Sequence, residues 1–265
     1  MYSHTFANLP IKDMLTQAQK KNIKQLHDKI HRREQGYFVA EGEKVVYELL
    51  SSNLEVKSVY ALNRWVEKNN NLLNKVETIV VSEKELQQIS HLKTPNQVLA
   101  VAKTPHYEMN FLEIKKGVSL FLSNVNDPGN LGTIIRTADW FGVSHIFCSE
   151  HTTDAFNSKV IQSAMGSLFR VKIYVVNSEE FLERCKNNEI TILGADMKGT
   201  SVYSYSFKSP MVLVMGSESH GIDEVCKRYI NEYVSIPGKH TAESLNVAIA
   251  TGILCSEIMR SVLEQ

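Results

Sequence analysis

Short runs of β-branched and aromatic residues alternate along this chain with stretches whose apolar positions recur every three or four residues. GYFVAEG (36–42), VKSVYAL (56–62), ETIVVS (77–82) and QVLAVAK (97–103) read as strands. Between them EKVVYELLSS (43–52), RWVEKNNNLLNK (64–75) and SEKELQQIS (82–90) carry the helical period. A basic helix over about residues 10–33 precedes them. The pattern predicts a small α/β domain over residues 1–104. The segment TPHYEMNFLEIKKG (104–117) breaks it with Pro105 and Gly117, which predicts a linker over 105–117.

Beyond the linker the alternation resumes with VSLFLSN (118–124), HIFCSE (145–150), VKIYVV (171–176), ITILGAD (190–196), PMVLVMG (210–216) and YVSIPG (233–238). Several of these strands are apolar along their whole length. Strands without a polar face are expected where helices cover both sides of a parallel sheet, so a doubly wound, mostly parallel α/β domain is predicted over 118–265. A long helix from about Ser244 to Leu263 closes it. Such sheets bind ligands beyond the carboxyl ends of their strands. The loops there are NVNDPGN (124–130), GSESHG (216–221) and PGKHTAES (237–244).

Charge adds a second layer. The chain of 265 residues has a formal net charge of +0. Residues 1–104 nevertheless hold 15 Lys and Arg against 11 Asp and Glu, and residues 105–265 hold 14 against 18. Lys12, Lys20, Lys21, Lys24, Lys29, Arg32 and Arg33 face only Asp13 and Asp28 in one stretch. That stripe fits phosphate neutralisation, although a solvated helix face is the commoner meaning of a short basic run taken alone. The N-terminus MYSHTFANLP has no basic segment followed by an apolar core, and no run reaches the roughly 18 apolar residues of a membrane span. A cytoplasmic protein without a membrane partner is expected. Cys148, Cys185, Cys226 and Cys255 are scattered, so reduced, buried thiols and no metal site are expected.

Three loop segments carry candidate chemistry. In the first, Asp127, Pro128 and Gly129 form a turn, and Asn130 is placed to cap the following helix. At 100° per residue Leu131, Ile134, Ile135, Ala138 and Phe141 share one face, which leaves Arg136 pointing away from the core. The second holds a single carboxylate, Glu218, in a glycine turn. In the third, Ser244, Leu245 and Asn246 open an apolar helix, where Ser and Asn also suit simple capping. Neither GxxxxGK[ST] nor GxGxxG occurs, which disfavours a nucleotide-dependent oxidoreductase.

Together, DPGNLGTIIRTADWFG, MGSESHGI and IPGKHTAESLNVA, in this order, closely resemble the three motifs of the SpoU-TrmH family of RNA ribose 2′-O-methyltransferases. The resemblance covers roughly residues 118–263. The run LHDKIHRREQGYFVAEGEKVVYELL also resembles the start of the small substrate-binding domain that many members carry. The resemblance implies a C-terminal trefoil knot, a homodimer, and S-adenosylmethionine held largely by backbone around Met215, Gly216, Ile236, Pro237 and Leu245. It assigns Asn130, Arg136, Glu218, Ser244 and Asn246 to catalysis. Gly238 and His220 depart from the family's pattern without removing a reactive group. The RNA implied is ribosomal, 23S in particular, rather than transfer RNA; a noncatalytic RNA-binding assembly factor on the same fold is the alternative. Arg136 is expected to grip a phosphate and lower the pKa of the hydroxyl, because a guanidinium is a poor proton acceptor.

Overall fold

The structure, a computed structural model, describes residues 15–239 and 244–263. In chain order its first elements are α1 (Gln17–Gln25), α2 (Lys29–Gln35), β1 (Tyr37–Glu41), α3 (Glu43–Leu50), β2 (Val56–Ala61), α4 (Asn63–Lys68), α5 (Asn70–Leu73), β3 (Glu77–Val80), α6 (Glu83–Ile89) and β4 (Val98–Lys103). Then follow α7 (Phe111–Ile114), β5 (Val118–Leu122), α8 (Pro128–Trp140), β6 (His145–Ser149), α9 (Ser158–Ala164), β7 (Lys172–Val176), α10 (Ser178–Asn187), β8 (Thr191–Ser201), β9 (Met211–Met215), α11 (Glu224–Lys227), β10 (Glu232–Ser235) and α12 (Val247–Leu263). The described residues form two compact units. One runs to His106 and adds Phe156–Phe169; the other is Tyr107–Ala155 with the described residues from Arg170 onward.

The first unit is a four-stranded sheet in the order β1-β4-β2-β3, with β4 antiparallel to both neighbours and β3 parallel to β2. The basic stretch, expected as one helix, is two. Thr16 and Gln19 form a capping box at the start of α1, and Asp28 accepts bonds from the Ile30 and His31 amides to start α2. Asp28 therefore breaks the helix where the hydrophobic period alone gave no reason to stop. Lys12, Asp13 and the rest of residues 10–14 lie outside the described residues.

Arg32 also differs from expectation. It is buried, and its guanidinium donates to the Leu26 and His27 carbonyls at 2.9 Å each, tying down the end of α1. It belongs to the core of this unit and not to a solvated stripe. Lys21, Lys24, Lys29 and Arg33 are exposed.

The segment Phe156–Phe169 was expected to belong with the second domain. Instead α9 packs against β1. The Phe38 ring meets those of Phe156 at 4.9 Å and Phe169 at 6.2 Å, and Gln162 Nε2 donates to the Glu41 carbonyl at 2.8 Å. The apolar side chains of Val160, Ile161, Ala164 and Leu168 are buried within this unit, and no sequence period announces which sheet they will choose.

The second unit is a six-stranded, wholly parallel sheet in the order β10-β8-β9-β5-β6-β7. Phe121, Phe147, Val212 and Val214 form one core with Phe181, Leu182 and Cys185 of α10. Their neighbours Leu120, Leu122, Ile146 and Leu213, pointing to the other face, are buried as well. The chain runs outward from β5 through β6 to β7 and then returns to place β9 on the opposite side of β5. Loops leaving β5 and β9 therefore diverge at their carboxyl ends and open a crevice at this switch point. Among the described residues no helix is long and apolar enough to cross a membrane.

Candidate active site

The crevice is built from helix starts. Asp127 is the N-cap of α8, its side chain accepting the Asn130 amide at 2.8 Å, and Pro128 occupies the first helical position. Asn130 was expected to be the cap. It lies instead inside the first turn, because an Asp followed by Pro is already a complete helix start, and its amide side chain is left available. Nδ2 donates to Glu218 Oε1. Its Oδ1 accepts a bond from Asn246 Nδ2 at 2.9 Å.

Asn246 does two things at once. Its Oδ1 caps α12, accepting the amides of Ala248 at 2.9 Å and Ile249 at 3.2 Å, while its Nδ2 reaches Asn130. Glu218 stands in a turn closed by reciprocal Ser217–Gly221 backbone bonds of 3.0 Å, with Gly221 at φ +66°. A Cβ on Gly216 would run into the carbonyl carbon of Gly221 and the nitrogen of Ile222. Glycine is required there by closure of the turn itself. Asn130, Glu218 and Asn246, distant in sequence, form one hydrogen-bonded cluster.

Beside the cluster lies a cavity of about 670 Å³, bounded by residues 195–198 within β8, by the loops after β9 and β10 and by the start of α12. Met215, Gly216, Ile236, Pro237 and Leu245, the five residues expected around a cofactor, all line it, as do Glu218 and Ser244. Ser244 is exposed. An added Cβ at Gly238 would meet nothing within 4 Å, and His220 is turned toward Ser219 Oγ at 2.7 Å, so neither departure from the family's pattern fills the space.

Arg136 is not brought to this group. It is exposed on α8, six residues past Asn130, and does not line the cavity. Among the described residues it makes no hydrogen bond or ion pair. Residues 195–198, with no motif to mark them, form a cavity wall that the sequence did not disclose. Asn124 was also missed. It sits at φ +59°, with its Oδ1 accepting from Ser149 Oγ at 2.9 Å and its Nδ2 toward Asp223 Oδ2 at 3.5 Å, and so links the loops after β5, β6 and β9.

The four cysteines are free and buried, and burial pushes the Cys148, Cys185 and Cys255 thiols up to about 12, well away from nucleophilic use. Among the described residues no group of three or more His, Cys, Asp or Glu is placed to hold a metal ion.

Residues 117–256 match the SpoU rRNA Methylase family, and residues 18–100 match the MRM3-like substrate binding domain. The chain is 33% identical over 237 residues to the 23S rRNA (guanosine(2553)-2′-O)-methyltransferase RlmP of Bacillus subtilis (strain 168), covering 88% of this chain and 93% of that one. Among solved structures it is similar to a putative RNA methyltransferase of the TrmH family from Porphyromonas gingivalis, with a TM-score of 0.86, 33% identity, and coverage of 93% and 99% of the two chains. It is also similar to the AdoMet-bound rRNA methyltransferase from Sinorhizobium meliloti, with a TM-score of 0.83, 31% identity, and coverage of 96% and 98%. The motif order, the parallel sheet and these likenesses agree: the chain belongs to the SpoU rRNA methylase family, and its second unit has that family's knotted α/β fold.

Proposed function

We propose that this protein transfers a methyl group from S-adenosylmethionine to a ribose 2′-hydroxyl of ribosomal RNA, 23S in particular, in the cytoplasm. The observation that carries the reading is the Asn130–Glu218–Asn246 cluster, which joins the loops after β5 and β9 at the switch point of the sheet, beside a cavity. The cavity has the size of a small-molecule site, and its mixture of apolar walls from Met215, Ile236 and Leu245 with a few polar groups suits a nucleoside-bearing cofactor. The B. subtilis relative, named for 23S rRNA, supports ribosomal over transfer RNA.

S-adenosylmethionine, held by the loops at Met215–Gly216, Ile236–Pro237 and Leu245, supplies an activated methyl group when bound. What remains for the protein is alignment and help for a departing proton. Glu218 fixes the Asn130 amide from one side and Asn246 fixes it from the other, so Asn130 is oriented toward the space where a ribose would lie. Ser244 adds a hydroxyl at the same rim. Arg136, permanently charged, holds a neighbouring phosphate and stabilises the developing alkoxide electrostatically.

A homodimer completes the arrangement. Trp140 at 84% and Ile249 at 56% exposure lie on α8 and α12, two helices that pack on each other, and α12 is apolar nearly all round. A second copy covering these side chains leaves Arg136, one turn from Trp140, at the subunit boundary. The test is a ribose-methylation map of RNA from cells with and without the gene, together with methyl transfer by the purified protein. One 23S nucleotide that loses its methyl group in the deletion and regains it in vitro is expected; unchanged maps overturn the reading.

A further inference from the structure

Glu218 reaches Asn130 from an exposed turn, and a flexible side chain meets its partner reproducibly only where the backbone beneath it is fixed. The Ser217–Gly221 bonds close the turn on itself and do not tie it to the loop that carries Asn130. That tie comes from Ser123 and Asn124, at the end of β5. The Ser123 amide donates to the Met215 carbonyl at 2.8 Å and fixes the chain entering the turn. The Oγ of the buried Ser123 accepts the Asp223 amide at 3.2 Å, and Asn124 Nδ2 donates to Asp223 Oδ2 at 3.5 Å, so the chain leaving the turn is fixed as well. Both legs of the Glu218 turn are thus held by two adjacent residues.

Asn124 is itself held from the other side. Its φ of +59° lies in the left-handed region, which Asn tolerates because its short polar side chain bonds locally. The Asn124 amide donates to Ser149 Oγ at 2.9 Å, and Ser149 Oγ donates back to Asn124 Oδ1 at 2.9 Å, which directs Nδ2 toward Asp223. Ser149 is buried at the end of β6. The second oxygen of Asp223, Oδ1, accepts the Val225 amide at 2.8 Å and caps α11. Donors and acceptors therefore alternate from Ser149 through Asn124 to Asp223, and the order cannot be reversed at one residue alone. Three residues beyond Asn124, Asp127 starts the helix that carries Asn130.

Resting on the reading of Asn130 and Glu218 as groups of the reaction, we infer that Asn124 is a positioning residue for methyl transfer: through Asp223 it holds the Glu218 turn where Glu218 can orient Asn130, without lining the cavity itself. The experiment exchanges the pair. Asn124→Asp keeps the acceptor for Ser149 but sets two carboxylates against each other, and Asp223→Asn keeps the α11 cap but sets two amide donors against each other. Asn124→Asp combined with Asp223→Asn restores one donor and one acceptor in reverse. Full-length variants are compared for methyl transfer to ribosomal RNA from cells lacking the gene, for S-adenosylhomocysteine affinity, and for amide hydrogen exchange in Ser217–Gly221. Each single variant is expected to lose about 10- to 100-fold in turnover, as misplacement of a reacting group requires, with faster exchange in the turn and little change in S-adenosylhomocysteine affinity. The double variant should recover both turnover and protection of the turn. Losses that add in the double variant, or single variants that turn over as wild type does, overturn the assignment. So does a lowered melting temperature with unchanged turnover per cofactor-binding site, which would make Asn124 a structural support alone. If wild type transfers no methyl group to this RNA while exchange in the turn still follows the pair and its reversal, the functional reading falls and the pairing stands.

Discussion

Arg136 is the residue on which the chemistry turns and the one a single chain leaves in solvent. Its neighbours Leu131, Ile134, Ile135 and Ala138 are buried, while its own side chain has no partner among the described residues. Arg136→Ala should therefore leave the melting temperature and cofactor affinity nearly unchanged. Turnover should fall by about two to four orders of magnitude, the range for loss of a charge-stabilising group. Arg136→Lys separates the possible roles: a proton acceptor would gain rate steeply as pH rises, whereas a bidentate phosphate grip would be weak at every pH. Full turnover by the Ala variant on its cognate RNA would remove Arg136 from the mechanism.

Among elements, the paired helices α1 and α2 show how a run of like charges separates into two jobs. Lys21, Lys24 and Arg33 are exposed, and Arg32, one residue from Arg33, is buried on two backbone carbonyls. Arg32→Ala should destabilise the first unit by about 3 kcal/mol, because it removes charge-assisted bonds and strands their acceptors. Thermal or denaturant unfolding would report it. Reversing Lys21, Lys24 and Arg33 to Glu should leave unfolding unchanged, weaken RNA binding and reduce its log–log salt slope by about 2. An unaltered slope would make these helices a solvated face only.

At the scale of the molecule, the contribution of Phe156–Phe169 to the first unit changes what a truncation means. A fragment beginning near Asn110 lacks β1 but keeps α9, so Val160, Ile161, Leu168 and Phe169 lose the residues that bury them. Such a fragment should self-associate in sedimentation and bind a hydrophobic dye. Polar replacements at those positions should restore its solubility and leave S-adenosylhomocysteine binding intact. A soluble, dye-negative fragment without replacements would show that α9 finds cover elsewhere.

Among the described residues, strand periodicity placed nine of ten strands to within three residues at each end, since alternating or continuous apolar runs report burial on one face or two; β8, expected to end at Asp196, runs on to Ser201. The motif residues were legible because turn and cap chemistry is local: Asp127, Pro128, Gly216 and the capping Oδ1 of Asn246 act within a few residues of themselves. Asn130 showed the limit even there, since two cap-forming residues three apart compete and only backbone geometry selects Asp127. What the sequence did not contain was long-range pairing. The Asn130–Glu218–Asn246 cluster, the irregular pairing of β8 with β10 and the choice of β1 by α9 each join residues that no local period connects. Those were decided by tertiary structure, because strand order and the packing of one surface on another depend on which distant surfaces meet.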